Sequence, residues 1–302
     1  MLSKYTFVLT WVLAFSTLPA SGQQMAVTFD DLPLHGALPA RVTRLEIVQS
    51  ILATLKHEKL PAVYGFINGG RGTEDPDSPS VLQAWRKAGQ PLGNHTWMHL
   101  SLNTETPEEF ASDVLKDEPL LKELMGKGDW HWLRYPFLYE GDTVEKRRAV
   151  RAWLSAHSYK IAEVSMDFED YLWNEPYARC VARGDGASIA KLHDSYLAVA
   201  DQYYGVFREL SRLVYGRDVK YVLLMHVGAF DARMLPELLH LYRAKGAQFI
   251  SLPAAMSDPA YQDDPDIGEA TGGTFLELML QKKKIKFPAN SKPYQELEAM
   301  CR

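Results

Sequence analysis

The chain is poor in cysteine, in repeats and in unbalanced charge. Two cysteines among 302 residues, Cys180 and Cys301, cannot build a disulfide scaffold. In an oxidising compartment they could pair, and unpaired buried thiols fit the sequence equally well. Lys and Arg number 33 against 38 Asp and Glu, a net charge of -5. No basic arm or stripe is present to steer the chain toward a nucleic-acid backbone. Beyond the first twenty-odd residues, no run is long and apolar enough to span a bilayer. No low-complexity block or internal repeat appears. At 46% hydrophobic residues, with 20 Gly and 17 Pro, the composition is that of a folded globular protein and excludes disorder.

The first 22 residues read as a targeting segment rather than as part of the fold. Lys4 gives a positive start, and residues 7–18 (FVLTWVLAFSTL) form an uncharged, mostly apolar run. That run has signal-peptide length and is too short for a comfortable membrane span. Small residues at 18–22 offer cleavage after Ala20 or Gly22. An uncleaved anchor is the competing reading. The mature protein is therefore expected to be exported, secreted or periplasmic, with no stable membrane insertion after cleavage.

From residue 25 onward, short β-branched or aromatic runs alternate with longer amphipathic ones. Strands are expected at 25–29, 62–67, 91–95, 131–134, 159–164, 221–226 and 248–252. Helices are expected at 42–57, 80–88, 107–125, 143–157 (with Thr143 as N-cap), 194–214 and 231–244. Such alternation predicts a parallel sheet. About seven units suit a distorted α/β barrel, with a doubly wound open sheet as the competing fold. Residues 23–258 form the expected barrel domain. Residues 259–302, where the regularity fades, are expected to be a C-terminal extension packed on it.

In a parallel barrel, reactive groups sit where strands end. The first strand ends in Asp30-Asp31, two carboxylates that would repel without a cation or an arginine between them. Alternation along a strand would point them differently, leaving them free for two separate jobs. The third ends in His95-Thr96-Trp97-Met98-His99. Histidines four apart on a helical turn share a face and can hold one ion. Two neutral imidazoles and a carboxylate suit a divalent metal that keeps positions open for water and substrate. The fourth runs into Arg134-Tyr135-Pro136-Phe137. Such an arginine can keep a carboxylate ionised, and the Phe137 N–H can point at a developing oxyanion. Then come acids and aromatics from Asp167 to Trp173, with Asp170, Tyr171 and Trp173 among them. Aromatic faces suit sugar rings, and core packing is the alternative for Trp173. His226 closes the apolar run 221–226 and is placed to be a general acid.

Together these pieces resemble the polysaccharide deacetylases of carbohydrate esterase family four, also called the NodB-homology fold. The matching segments are Thr28-Phe29-Asp30-Asp31, His95-Thr96-x-x-His99, Arg134-x-Pro136-Phe137, Asp167-x-x-Asp170 and Leu223-Leu224-Met225-His226. The resemblance runs over roughly residues 26–258. It implies Asp31, His95 and His99 as metal ligands, Asp30 as general base, and Arg134 as the group that keeps the base ionised. His226 becomes the general acid, tuned by Asp170 or, second, by Asp167. Tyr135, Phe137, Tyr171 and Trp173 are assigned to the substrate. The implied cofactor is a divalent metal, zinc first, with cobalt or nickel as alternatives. The implied reaction removes N-acetyl groups from peptidoglycan or chitin-like glycans. An O-acetyl esterase of xylan type and an inactive glycan-binding relative are the alternatives. The chain departs from the family in Leu32-Pro33, where Gly is frequent, and in Tyr171, where Trp is common.

Overall fold

The sheet grows around one strand. Gln23–Leu32 (β1) is buried from Met25 onward because other strands cover both its edges, as they do for central parallel strands, and its buried polar positions Thr28, Asp30 and Asp31 all have partners described below. A computed structural model describes residues 23–287 and 292–302. The stretch read as an export signal lies outside them. The other strands are Tyr64–Ile67 (β2), Leu92–Asn94 (β3), Trp132–Leu133 (β4), Lys160–Ile161 (β5), Tyr221–His226 (β6) and Ala247–Phe249 (β7). All pair in parallel, in the order β5-β4-β3-β2-β1-β6, with β7 pairing the start of β1. Past β5, Met166 pairs with Leu223 of β6, and the Ser165 and Met166 N–H groups donate to Val222 O. That contact brings the two ends of the sheet together in a distorted α/β barrel, as the alternation predicts.

Ten helices surround the sheet among the described residues: Arg44–His57 (α1), Ser78–Lys87 (α2), Pro107–Met125 (α3), Val144–Ala156 (α4), Asn174–Arg183 (α5), Gly186–Tyr215 (α6), Ala229–Ala244 (α7), Leu252–Met256 (α8), Phe275–Lys282 (α9) and Tyr294–Ala299 (α10). Among the described residues, none is long and apolar enough to cross a membrane. Thr43, Thr106 and Thr274 start α1, α3 and α9 with reciprocal capping boxes. Thr143 caps α4 by accepting from the Lys146 N–H. Helix α5 is absent from the sequence expectation, and α6 begins eight residues before it. The signals were a Gly184 stop in the left-handed conformation and an Asp185 cap accepting from the Ser188 N–H.

Two bonds fix the chain after β7. Cys180 of α5 forms a disulfide with Cys301, so of the two thiol states left open by the sequence the paired one holds. Arg179 donates to the carbonyls of Leu297, Glu298 and Met300 beside it. Earlier in the tail, buried Asp258 accepts from Arg217 (2.5 and 2.8 Å) and from the N–H groups of Lys220 and Ala260 (both 2.9 Å). Burial pushes this carboxyl up, but Arg217 and the two N–H groups outweigh it and hold it at about 2. A depressed folded-state pKa stabilises above the unfolded value near 4, and the effect is lost as pH falls toward 2. Asp258→Asn should therefore lower stability by about 1–3 kcal/mol at pH 7. Calorimetry should show the gap to wild type closing as the pH approaches 2. A gap independent of pH would disprove the ionic origin.

Candidate active site

Five strand ends deliver their polar residues to one cleft of about 640 Å³. Asp30, the last position of the β1–β6 ladder, pairs in register with His226. The two thus stand side by side on neighbouring strands. Arg134 donates to both Asp30 oxygens, at 3.0 and 3.1 Å. Its remaining donors go to Ala162 O (2.7 Å) and Thr28 Oγ1 (3.2 Å), and its guanidinium lies 4.6 Å from the Phe66 ring centre. Both charges are buried, so their pairing is required by the cost of desolvation. Burial raises the Asp30 carboxyl to about 7, against the pull of Arg134 and His226.

Asp31 leaves the strand in the left-handed region, φ 62°, which turns its side chain away from its neighbour's surroundings. Its Oδ1 lies 3.3 Å from His99 Nε2 and 3.6 Å from His95 Nε2. Its Oδ2 lies 2.7 Å from His35 Nδ1. Burial works against ionisation of Asp31, but the His35 hydrogen bond and the fields of His99, His35 and His95 hold its pKa well below the usual range. Burial lowers His95 well below its ordinary value and His99 to about 4. Both imidazoles are therefore neutral at pH 7, with lone pairs to offer. His95 Nδ1 is 2.8 Å from Arg134 O. A carbonyl only accepts, so Nδ1 carries the proton and Nε2 is left for a ligand.

The segment His95–His99 is a turn and not the helical turn expected from the i, i+4 spacing. Thr96 and His99 take positive φ, 62° and 58°. The turn is held by Asn94, Asn68 and Asp113: Thr96 N donates to Asn94 Oδ1 (2.8 Å), Asn68 Nδ2 to His95 O (2.6 Å), and Met98 N to Asp113 Oδ2 (2.8 Å). The two rings still meet, 4.8 Å apart.

Across the cleft, Asp170 grips His226 twice. One oxygen takes the His226 backbone N–H and the other its Nδ1, each at 2.7 Å. Burial alone would lower this imidazole, but Asp170 outweighs it and raises its pKa to about 10. Asp167 instead accepts from the Glu169 N–H (2.7 Å) and lines the cleft beside it. The partner of His226 is thus Asp170.

Of the four residues assigned to the substrate, two line the cleft. Tyr171 is 39% exposed, with its ring 5.3 Å from His226. Phe137 is 55% exposed, at φ 59°, with its ring 4.3 Å from His99. Tyr135 and Trp173 do not reach it. Tyr135 is buried against Phe110, because it leaves β4 toward the helices. Trp173 is fully buried between Phe168 and Tyr196 and donates to Ser195 Oγ at 2.8 Å. It is a core residue.

The tail is more than an appendage. Glu269, Thr271, Gly272, Gly273, Thr274, Glu277 and Gln281 line the same cleft. Phe275 and Met279 of α9 belong to the main hydrophobic core. The wall is hung on main-chain and amide bonds: Glu269 N to Gly141 O, Asn103 Nδ2 to Glu269 O, and Phe275 N to Val164 O. Gly272 sits at φ 69°, and a Cβ there would lie 2.5 Å from the Tyr139 ring, so only glycine fits.

Three side chains thus converge as a possible metal-holding set, Asp31, His95 and His99. The buried Asp31 Oδ1 that faces both imidazoles has no hydrogen-bond partner. Unpartnered buried oxygens are costly, and a divalent cation among these three donors would satisfy it. One carboxylate and two neutral imidazoles are a fitting donor set.

This fold and this site define a class. Residues 18–153, just under half of the chain, match the family model described as polysaccharide deacetylase, in agreement with the resemblance of the motifs to carbohydrate esterase family four. The match ends within α4, so Asp170 and His226 lie beyond it. Among similar proteins is the peptidoglycan-N-acetylglucosamine deacetylase of Bacillus cereus, 25% identical over 169 residues. That match covers 56% of this chain and 54% of the relative, about half of its length. The chitin deacetylase of the fungal pathogen Colletotrichum lindemuthianum superposes with a TM-score of 0.55 at 20% identity, over 83% of this chain and 93% of that one. A family-four pseudoenzyme from Bacillus anthracis superposes with a TM-score of 0.54 at 14% identity, over 78% and 66%. At such identities the solved structures show the fold alone.

Proposed function

We propose that this protein is an exported, divalent-metal-dependent hydrolase that removes N-acetyl groups from amino-sugar glycans of peptidoglycan or chitin type. The observation that carries the reading is a carboxylate and an imidazole, each held by an oppositely charged partner, standing side by side next to one metal-holding set. Asp30 is held by Arg134 on one side, and His226 by Asp170 on the other. A lectin has no use for such a pair. The Bacillus cereus relative supports the glycan class. The apolar run at residues 7–18 and the Cys180–Cys301 disulfide support export into an oxidising compartment.

Asp31, His95 and His99 would hold the ion. When bound, a divalent cation would acidify the attacking water and polarise the amide carbonyl. Asp30 takes the proton of that water as it attacks, and Arg134 keeps this carboxylate in line. The Phe137 N–H is assigned to the developing oxyanion. His226, charged through Asp170, gives its Nε2 proton to the departing amine. Tyr171 offers a ring face to the sugar beside His226.

The test is acetate release by the full chain loaded with zinc. N-acetylated peptidoglycan, chitin oligosaccharides and O-acetylated xylan are compared, each with chelator-treated protein as control. Release from the amide substrates, lost with the chelator and restored by zinc, is expected. Release from xylan alone would make the protein an esterase. No release despite stoichiometric zinc would make it a glycan-binding relative.

A further inference from the structure

No sequence motif includes His35, yet it touches both halves of the site. It lies in the loop between β1 and α1, with its side chain 16% exposed. Arg44 of α1 clamps that loop by donating to the carbonyls of His35 (2.6 Å) and Gly36 (2.8 Å). His35 Nδ1 stands 2.7 Å from Asp31 Oδ2. An ionised carboxylate only accepts, so the proton sits on Nδ1 and the hydrogen bond runs from His35 to Asp31. The same ring packs against His226, with centres 4.5 Å apart, and lies 6.1 Å from Tyr171.

The geometry points to His35 as a positioning residue that prepares Asp31 for a metal ion. This rests on the reading of Asp31, His95 and His99 as the metal-holding set. A free carboxylate can rotate and present either oxygen. Here Oδ2 is engaged by His35, so Oδ1 alone faces His95 and His99, and Oδ1 is the buried oxygen without a hydrogen-bond partner. A competing pull exists: Arg71 Nη1 lies 3.6 Å from Oδ1. The shorter contact, to His35, sets which oxygen is presented. Metal-binding histidines are commonly held by carboxylates, and here the roles are reversed, with a histidine holding the carboxylate.

Loss of such an outer partner typically costs about 10–100-fold in metal affinity. The experiment is zinc binding by chelator competition on the full chain, read as Kd and stoichiometry. Wild type should bind one zinc per chain. His35→Ala should bind the same one zinc about 10–100-fold more weakly. His35→Asn places an amide N–H where Nδ1 stood and should recover most of the affinity, which a general loss of folding would not allow. Arg71→Ala should not weaken binding. Tight zinc in wild type with an unchanged Kd in His35→Ala overturns the role of His35 and leaves the metal reading intact. Two zinc ions in wild type falling to one in His35→Ala would make His35 a ligand of a second ion and overturn its positioning role. No zinc in wild type overturns the metal reading itself, and the role of His35 with it.

Discussion

Asp30→Asn is expected to keep its zinc and lose turnover by about 10²–10⁴-fold, the usual contribution of a positioned general base. Asp31→Asn should instead lose metal affinity first, with activity falling as a consequence. The two neighbours differ by one position in sequence, but they face different partners. Asp30 faces Arg134 at 3.0 and 3.1 Å, whereas Asp31 presents a bare oxygen to His95 and His99. Asparagine at position 30 retains an oxygen for Arg134, so the buried guanidinium is not stranded. Metal content by atomic absorption and acetate release by coupled assay, measured on both variants, decide the matter. Equal metal loss and equal residual rates in the two would refute the division of labour.

Removing the opposite partner should act on the alkaline side of the pH profile. His226 must be protonated to give its proton away, and Asp170 raises its pKa to about 10. Loss of that charge in Asp170→Asn lets the pKa fall back toward the ordinary histidine value near 6.5. The acid is then deprotonated earlier as pH rises, so the alkaline fall in rate should move down toward neutrality. In His226→Ala the turnover should drop by about 10²–10⁴-fold with metal content near wild type. The loss should be larger on N-acetyl than on O-acetyl substrates, because an amine needs its proton to leave more than an alkoxide does. An alkaline limb that stays in place in both variants would remove His226 from the reaction.

The strands, their parallel order and the polar residues at their ends were legible in the sequence, because apolar runs followed by acids, histidines and an arginine recur along it. The reason given for His95 and His99 was wrong in its local geometry. Thr96 and His99 adopt positive φ, and the turn is fixed by the adjacent Asn94 together with Asn68 and Asp113, which come from elsewhere in the sequence. Tyr135 and Trp173 were misplaced because a side chain just past a strand can turn to either layer, and its direction is set by packing against Phe110 or Tyr196. His35 carried no signal, being one histidine in a proline- and glycine-bearing loop. The cleft wall at 269–281 was illegible for another reason. Although Phe275 and Met279 anchor its helix in the core, the stretch before that helix is hung on backbone carbonyls and N–H groups, which leave no pattern of side chains to read.

That mode of attachment has a consequence for how chains of this fold diversify. The residues proposed to handle the metal and the proton are anchored by side-chain bonds that tolerate little change. The wall opposite them hangs from Gly141, Asn103 and Val164 largely by its backbone, so its side chains at Thr271 and Gln281 can be rewritten while the chain path is kept, whereas Glu277 is tied to the Thr274 cap. Under the proposed function, chemistry and choice of sugar are thus carried by separately replaceable stretches. A graft of residues 268–281 between two such proteins would carry the preference for a glycan with it and leave the bond-breaking apparatus as it stood.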